Sequence, residues 1–207
     1  MTPQSMSFAA SDDGDELARR RDEQVRQHAV DLGAGEALYE QLRVAPTEAP
    51  AAGGFLEEPW RGLVGAARRL TRQQVVDEYD ALFQGLGKPE IFLYGSYHLA
   101  GAVNDKPLVE LRRDLQGLGL ERAEGVIETE DHLASLCEVM RFLIAGDDAS
   151  ICNLTQQRRF FRVHLQPWVE GLAGEIEGHP RADFYAAVAG FLRAFAQVEA
   201  QGFDLIE

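Results

Sequence analysis

The sequence predicts an all-α, single-domain bundle of about eight to ten helices. Three observations carry that prediction. Apolar residues recur at three- and four-residue spacing along most of the chain. Helix-cap signatures stand in front of several of these runs. The one apolar run that reads as β, Ile91 to Tyr94, has no second strand to pair with, and a lone strand is not stable. With 207 residues, 45% of them apolar, the chain is long enough to bury one core.

Residues 1–14 are polar and acidic and read as a flexible tail, with the helical domain spanning 15–207. From Asp15 to about Leu42 the pattern is helical, with Leu17, Val25, His28, Ala29 and Leu32 on one side, a break at Gly33 and Gly35, and a resumption at Leu38, Tyr39 and Leu42. Residues 44–54 hold two prolines and adjacent glycines and read as a linker and hinge. Pro59 then stands in the first turn of a helix carrying Trp60, Leu63, Val64, Ala67 and Leu70. Thr71 to Gln74 forms a capping box that opens a helix with Val75, Val76, Tyr79, Leu82 and Phe83, closed by Gly85, Gly87 and Pro89.

Residues 90–101 are expected to be helical, and Pro107 opens a helix with Leu108, Leu111, Leu115 and Leu118. Thr129 is expected to cap the next helix, with Glu130 and Asp131 in its first turn, where carboxylates meet the positive end of the helix dipole. Its buried face is expected at Leu133, Leu136, Cys137, Met140, Leu143 and Ile144, with Gly146 as the stop. Asn153 to Gln156 resembles a second capping box, opening a helix through Phe160, Phe161, His164 and Leu165. Pro167 either kinks that helix or starts a new one with Trp168 and Leu172. The last helix carries Phe184, Ala187, Val188, Phe191, Leu192, Phe195 and Val198.

Composition narrows the function. The net charge of −14 disfavours nucleic acid and anionic membrane surfaces and favours basic partners. No apolar run is long enough to span a bilayer. Arg19, Arg20 and Arg21 are followed by Asp22 and Glu23 and not by an apolar stretch, so the chain is not expected to be exported by the twin-arginine route. Cys137 and Cys152 form neither a CxxC pair nor a zinc spacing, which fits a reducing cytoplasm. No phosphate loop, dinucleotide fingerprint, nucleophile elbow or HExxH is present. No cofactor, metal or catalytic residue is therefore expected.

One polar constellation stands out, Glu128-Thr-Glu-Asp-His132. It reads either as helix capping or as an anionic patch that pairs with arginines. A metal site would want Glu-x-x-His pairs, which the sequence lacks. His164 and Trp168 read as core.

Three blocks occur in order: Tyr79-x-x-Leu82-Phe83 with Tyr94-Gly95-Ser96-Tyr97, then Glu128-x-x-Asp131-His132-Leu133, then Phe160-Phe161-x-x-His164-Leu165-x-Pro167-Trp168. Together, over roughly residues 55–205, they resemble the TorD/DmsD/NarJ family of redox-enzyme maturation chaperones. The resemblance implies an all-α fold of about ten helices and no enzymatic activity. It implies binding of an apo molybdopterin oxidoreductase, through its twin-arginine leader peptide or its body, in the cytoplasm until the cofactor is loaded. It also implies a monomer or a helix-swapped homodimer. The peptide-binding positions carried over are Tyr79, Leu82, Phe83, Tyr94, Gly95, Ser96, Glu128, Asp131 and His132. Many relatives have Pro-Trp where this chain has Leu93-Tyr94, and a proline where it has Thr129, which leaves the client's identity open. Guanine nucleotide binding, suggested for some members, is not carried over in the absence of a phosphate loop.

The residue chemistry agrees. Glu128 and Asp131 are suited to bidentate arginine bonds, and Tyr79, Phe83 and Tyr94 to lining a groove for an apolar or amphipathic segment. A protonated His132 would weaken attraction for arginine. The competing readings are a metal-dependent hydrolase on a helical bundle and a structural adaptor subunit.

Overall fold

A computed structural model describes residues 8–10, 34–47, 54–84, 88–122 and 128–205. In chain order the elements are β1 (Phe8–Ala10), α1 (Ala34–Val44), α2 (Glu57–Arg69), α3 (Arg72–Tyr79), a π-helical turn (Asp80–Gln84), α4 (Gly95–Ala100), α5 (Lys106–Gly117), β2 (Leu120–Arg122), α6 (Leu133–Ala145), α7 (Leu154–His164), α8 (Gln166–Glu177) and α9 (Phe184–Asp204). Nine α-helices among the described residues bear out the all-α expectation. None of the helices is long and apolar enough to cross a membrane. The helical pattern expected from Asp15 to Gly33, residues 48–53 of the linker, and Gly85 and Gly87 lie outside the described residues.

The chain divides into two compact units, crossing between them at Gly33/Ala34, Leu93/Tyr94 and Pro167/Trp168. The unit drawn from Ala34–Leu93 and Trp168–Glu207 is built on α9, which packs along α2 and α3, with α1 on α2. Its core joins Tyr39, Leu42, Leu63, Ala66, Ala67, Val75 and Phe184. The Tyr39 hydroxyl donates to the Leu70 carbonyl, just beyond the end of α2. Thr71 and Gln74 form the expected reciprocal capping box at the start of α3, with the Gln74 side chain accepting from the Thr71 N–H at 2.9 Å. Gly35 does not break α1 but lies in its first turn, where backbone N–H groups have no intrahelical partner to lose.

The other unit, from the described parts of Met1–Gly33 and Tyr94–Pro167, sets α4 against α5 and α6 against α7. α5 buries Leu108, Leu111 and Leu115, and α6 buries Leu136, Val139, Met140 and Leu143. Phe8–Ala10, inside the segment read as a tail, pairs antiparallel with Leu120–Arg122. Neither three-residue strand is long enough to leave a period-two signal in the sequence.

Three expectations are corrected, and the alternative left open at Pro167 is resolved. Helix does not cover residues 90–101 but begins at Gly95, because Tyr94 is extended and bridges the backbone of His132. Thr129 does not cap α6; the helix starts at Leu133, and His132 is its N-cap, with Nδ1 accepting from the Ala134 N–H at 3.3 Å. Cys137 and Ile144 are exposed rather than buried, the buried stripe passing through Val139 instead. The Cys137 thiol is still pushed up to about 11 by desolvation and by Glu138, which keeps it protonated. Pro167 starts a new helix: α7 ends at His164 and α8 begins at Gln166, with the proline at its second position, where no N–H is needed. Gly146 follows α6 where a Cβ would collide with the Cys152 Sγ and the Phe142 carbonyl.

Candidate functional site

The nine residues singled out from sequence fall into two groups, one in each unit. Tyr94, Gly95, Ser96, Glu128, Asp131 and His132 form the first. α4 has no capping side chain of its own, since its N-cap position is Tyr94. Asp131 supplies the missing acceptors: its backbone carbonyl takes the Gly95 N–H at 2.9 Å and its Oδ2 takes the Ser96 N–H at 2.8 Å. The Thr129 hydroxyl donates to the other carboxylate oxygen at 2.6 Å. Asp131 is 3% exposed, and its carboxylate clasps α4.

Glu130 is likewise engaged. Its Oε2 accepts from Arg112 Nε and Nη2 at 3.1 and 2.9 Å, an ion pair between the loop and α5. Glu128 is different. Its Oε2 is buried and meets no hydrogen-bond donor. A carboxylate oxygen in that state is costly unless a donor arrives. Beside it, the His132 ring stands edge-on to Tyr94 at 5.1 Å. Burial pushes the His132 pKa down, against the opposing pull of Glu128 and Asp131. The ring is therefore neutral near pH 7, and because Nδ1 accepts a hydrogen bond, the proton sits on Nε2.

The second group is Tyr79, Leu82 and Phe83. Leu82 is fully buried, and its carbonyl accepts from the N–H groups of Glu90 and Ile91 at 3.1 and 3.0 Å. Tyr79 and Phe83 flank it with rings 5.3 Å apart. The π-helical turn that begins at Asp80 falls within this block, and such turns are frequent at functional sites. Tyr185, which the sequence reading did not single out, completes the cluster: its ring lies 5.7 Å from Tyr79 and 5.1 Å from Phe83. It is held there by Glu78, whose Oε1 accepts from the N–H groups of Asp183 and Tyr185 and whose Oε2 accepts from Phe184, at 2.8 to 3.0 Å. An aromatic pair opening an apolar helix was the available signal for Tyr185; nothing local marks Glu78 as a cap for a distant helix.

The third block is core, as read for His164 and Trp168: both are buried. His164 Nε2 sits 2.9 Å from Asp114 Oδ2, and Asp114 Oδ1 pairs with Arg159 at 2.6 Å. Burial lowers the His164 pKa more than Asp114 and Glu110 raise it, and Arg159 adds to the lowering. Two histidines whose pKa values desolvation lowers bind fewer protons folded than unfolded. Their contribution to stability is complete above the ordinary value of 6.5 and is lost as pH falls below it toward the lowered values. The urea midpoint is expected to decline between pH 7 and pH 5, and the His164→Gln variant to show a shallower decline. An unchanged slope in that variant would contradict the assignment.

Among the described residues, no group of three or more His, Cys, Asp or Glu side chains is arranged to hold a metal ion. The family described as "Nitrate reductase delta subunit" matches residues 50–174, more than half of the chain. The chain belongs to that family. It is a family of chaperones for molybdoenzyme maturation, of the TorD/DmsD/NarJ kind that the three blocks resemble, and its members act with a molybdoenzyme partner and not as catalysts. All nine residues above lie inside the matched span, while Tyr185 lies beyond it. No curated protein matches the chain.

Proposed function

We propose that this chain is a cytoplasmic chaperone for an apo molybdopterin oxidoreductase. It binds the enzyme through its twin-arginine leader, its body or both, and holds it until the cofactor is inserted, before export or assembly. The observation that carries the leader contact is the orphaned carboxylate oxygen of Glu128 beside Tyr94 and His132. Asp131 and Glu130 already accept from internal donors, whereas Glu128 Oε2 meets none, which suits Glu128 to accept from a guanidinium of the client. The half-buried rings of Tyr79 and Phe83, in the other unit, are of the kind that takes apolar side chains of a client.

A tagged chain drawn from native cytoplasm is expected to carry a molybdopterin oxidoreductase subunit with its leader attached, identified by mass spectrometry. Failure to enrich any redox enzyme where such enzymes are expressed would count against the proposal. By calorimetry with the leader peptide, Glu128→Gln is expected to weaken binding by about 1.5–3 kcal/mol, the scale of a charge-assisted hydrogen bond. Calorimetry with unchanged affinity would remove Glu128 from the contact.

A further inference from the structure

β2 is firmly set in its unit. It follows α5 through Gly119, which turns the chain at a φ of +69°, and Leu118 and Leu120 on either side of that glycine are buried. At its other end the Arg122 guanidinium donates to the Glu128 carbonyl at 3.2 Å and stands 3.9 Å from Glu130 Oε1. The Arg122 end of β2 therefore adjoins the residue whose carboxylate oxygen meets no donor. β1 is held less well. It is three residues long, and β2 is its one strand partner among the described residues. A two-stranded pair is marginal by itself, and closing the long loop from Ala10 to Leu120 costs entropy.

The register fixes a direction. Phe8 stands opposite Arg122, Ala9 opposite Glu121 and Ala10 opposite Leu120, antiparallel. A strand running this way enters from the end of β2 at which Arg122 holds Glu128. The occupant from this chain brings no side-chain cation to that end, because residues 2–10 carry no charged side chain. An extended segment with a basic residue ahead of small apolar ones would make the same backbone bonds and also give Glu128 a donor. The net charge of −14 favours the approach of such a segment.

We propose that the edge of β2 is a strand-addition site for an extended client segment, a basic residue followed by small apolar residues, and that Phe8–Ala10 fills this edge until the client displaces it. This rests on the client-binding reading above. It adds to that reading a backbone contact and a competitor carried by the chain itself.

The test is calorimetry on the full chain, with a synthetic peptide of two arginines followed by a run of alanine and valine. Successive residues of a strand turn their N–H groups to opposite sides. Ala9→Pro combined with Ala10→Pro therefore removes a donor to β2 whichever of the two residues pairs. That variant is expected to bind the peptide roughly threefold more tightly, as loss of a marginal competitor predicts. Ala9→Cys with Glu121→Cys joins the strands at a directly opposed pair, a spacing that a disulfide spans. Oxidised, this variant is expected to lose peptide binding, and reduction to restore it. A peptide with one cysteine in its apolar run is expected to cross-link to Glu121→Cys in the proline variant. Unchanged affinity on oxidation, or in the proline variant, would overturn the inference while leaving the chaperone reading in place. Dimerisation of the proline variant without tighter peptide binding, read by light scattering, would make a second copy the occupant and overturn it as well. No peptide binding to the unaltered chain or to the proline variant would overturn the leader contact itself, and this inference with it.

Discussion

Replacing Glu78 by alanine is expected to lower the unfolding free energy by about 2–3 kcal/mol, the sum of a lost helix cap and unpaired backbone donors. α9 is the longest helix among the described residues, and its first N–H groups have no intrahelical partners. Asp183 occupies the N-cap position but makes no side-chain cap bond, its carboxylate being paired with Arg69. The Glu78 carboxylate, from the end of α3, takes the N–H groups of Asp183, Phe184 and Tyr185 and places a negative charge at the positive end of the dipole. The loss would spread, because Phe184 belongs to the core cluster and packs edge-on to Tyr39 at 6.2 Å. Glu78→Gln keeps one acceptor oxygen and is expected to cost roughly half as much. Urea unfolding followed by circular dichroism checks both. A change below about 0.5 kcal/mol in the alanine variant, within the range of ordinary surface substitutions, would mean that water caps α9 as well as Glu78 does.

Asp131→Ala is expected to cost about 3 kcal/mol, because it strips acceptors from groups that have no access to water. Ser96 is fully buried, and its N–H would point at a cavity. Its hydroxyl, which accepts from the Asn104 N–H at 3.1 Å, ties α4 to the turn before α5, so the disturbance reaches that turn as well. Asn104 there holds a φ of +62°, a left-handed conformation that asparagine tolerates better than most residues. Asp131→Asn can still accept from Ser96 and is expected to cost less, about 1–2 kcal/mol. Amide exchange gives a local reading. The Ser96 N–H should exchange much faster in the alanine variant and only modestly faster in the asparagine one. If Ser96 keeps full protection in Asp131→Ala, the clasp is not what orders α4. If Ser96 loses protection, a loss of peptide binding in Asp131→Ala follows from the displaced Tyr94–His132 pair and not from a missing arginine partner.

The capping boxes show how local signals succeed. Thr71 and Gln74 satisfy each other's backbone within one turn, so the residues that mark the helix start also form it. Asn153 caps α7 with half of that arrangement, accepting from the Gln156 N–H at 3.1 Å without the reciprocal bond of a capping box. The acidic-histidine block shows how they fail. Read locally, Thr129, Glu130 and Asp131 make a good first turn. In the folded chain each carboxylate has a stronger claim from a distant donor, Arg112 for Glu130 and the Ser96 N–H for Asp131, and the helix starts three residues later than such a turn would put it. The same competition hid the role of Tyr94, whose partner His132 lies in another block.

By itself the sequence determined the all-α class, most helix starts and the family, because helix periodicity, caps and short motifs are written in neighbouring residues. The tertiary structure decided which of the motif's polar groups remain to meet a partner. That depends on donors brought from far along the chain: they engage Glu130 and Asp131, leave Glu128 with an unmet oxygen, and set Tyr185 against Tyr79 and Phe83 through Glu78. A carboxylate's chemistry is legible from its residue type, but whether it is free follows from burial and hydrogen bonding, which only the folded chain contains.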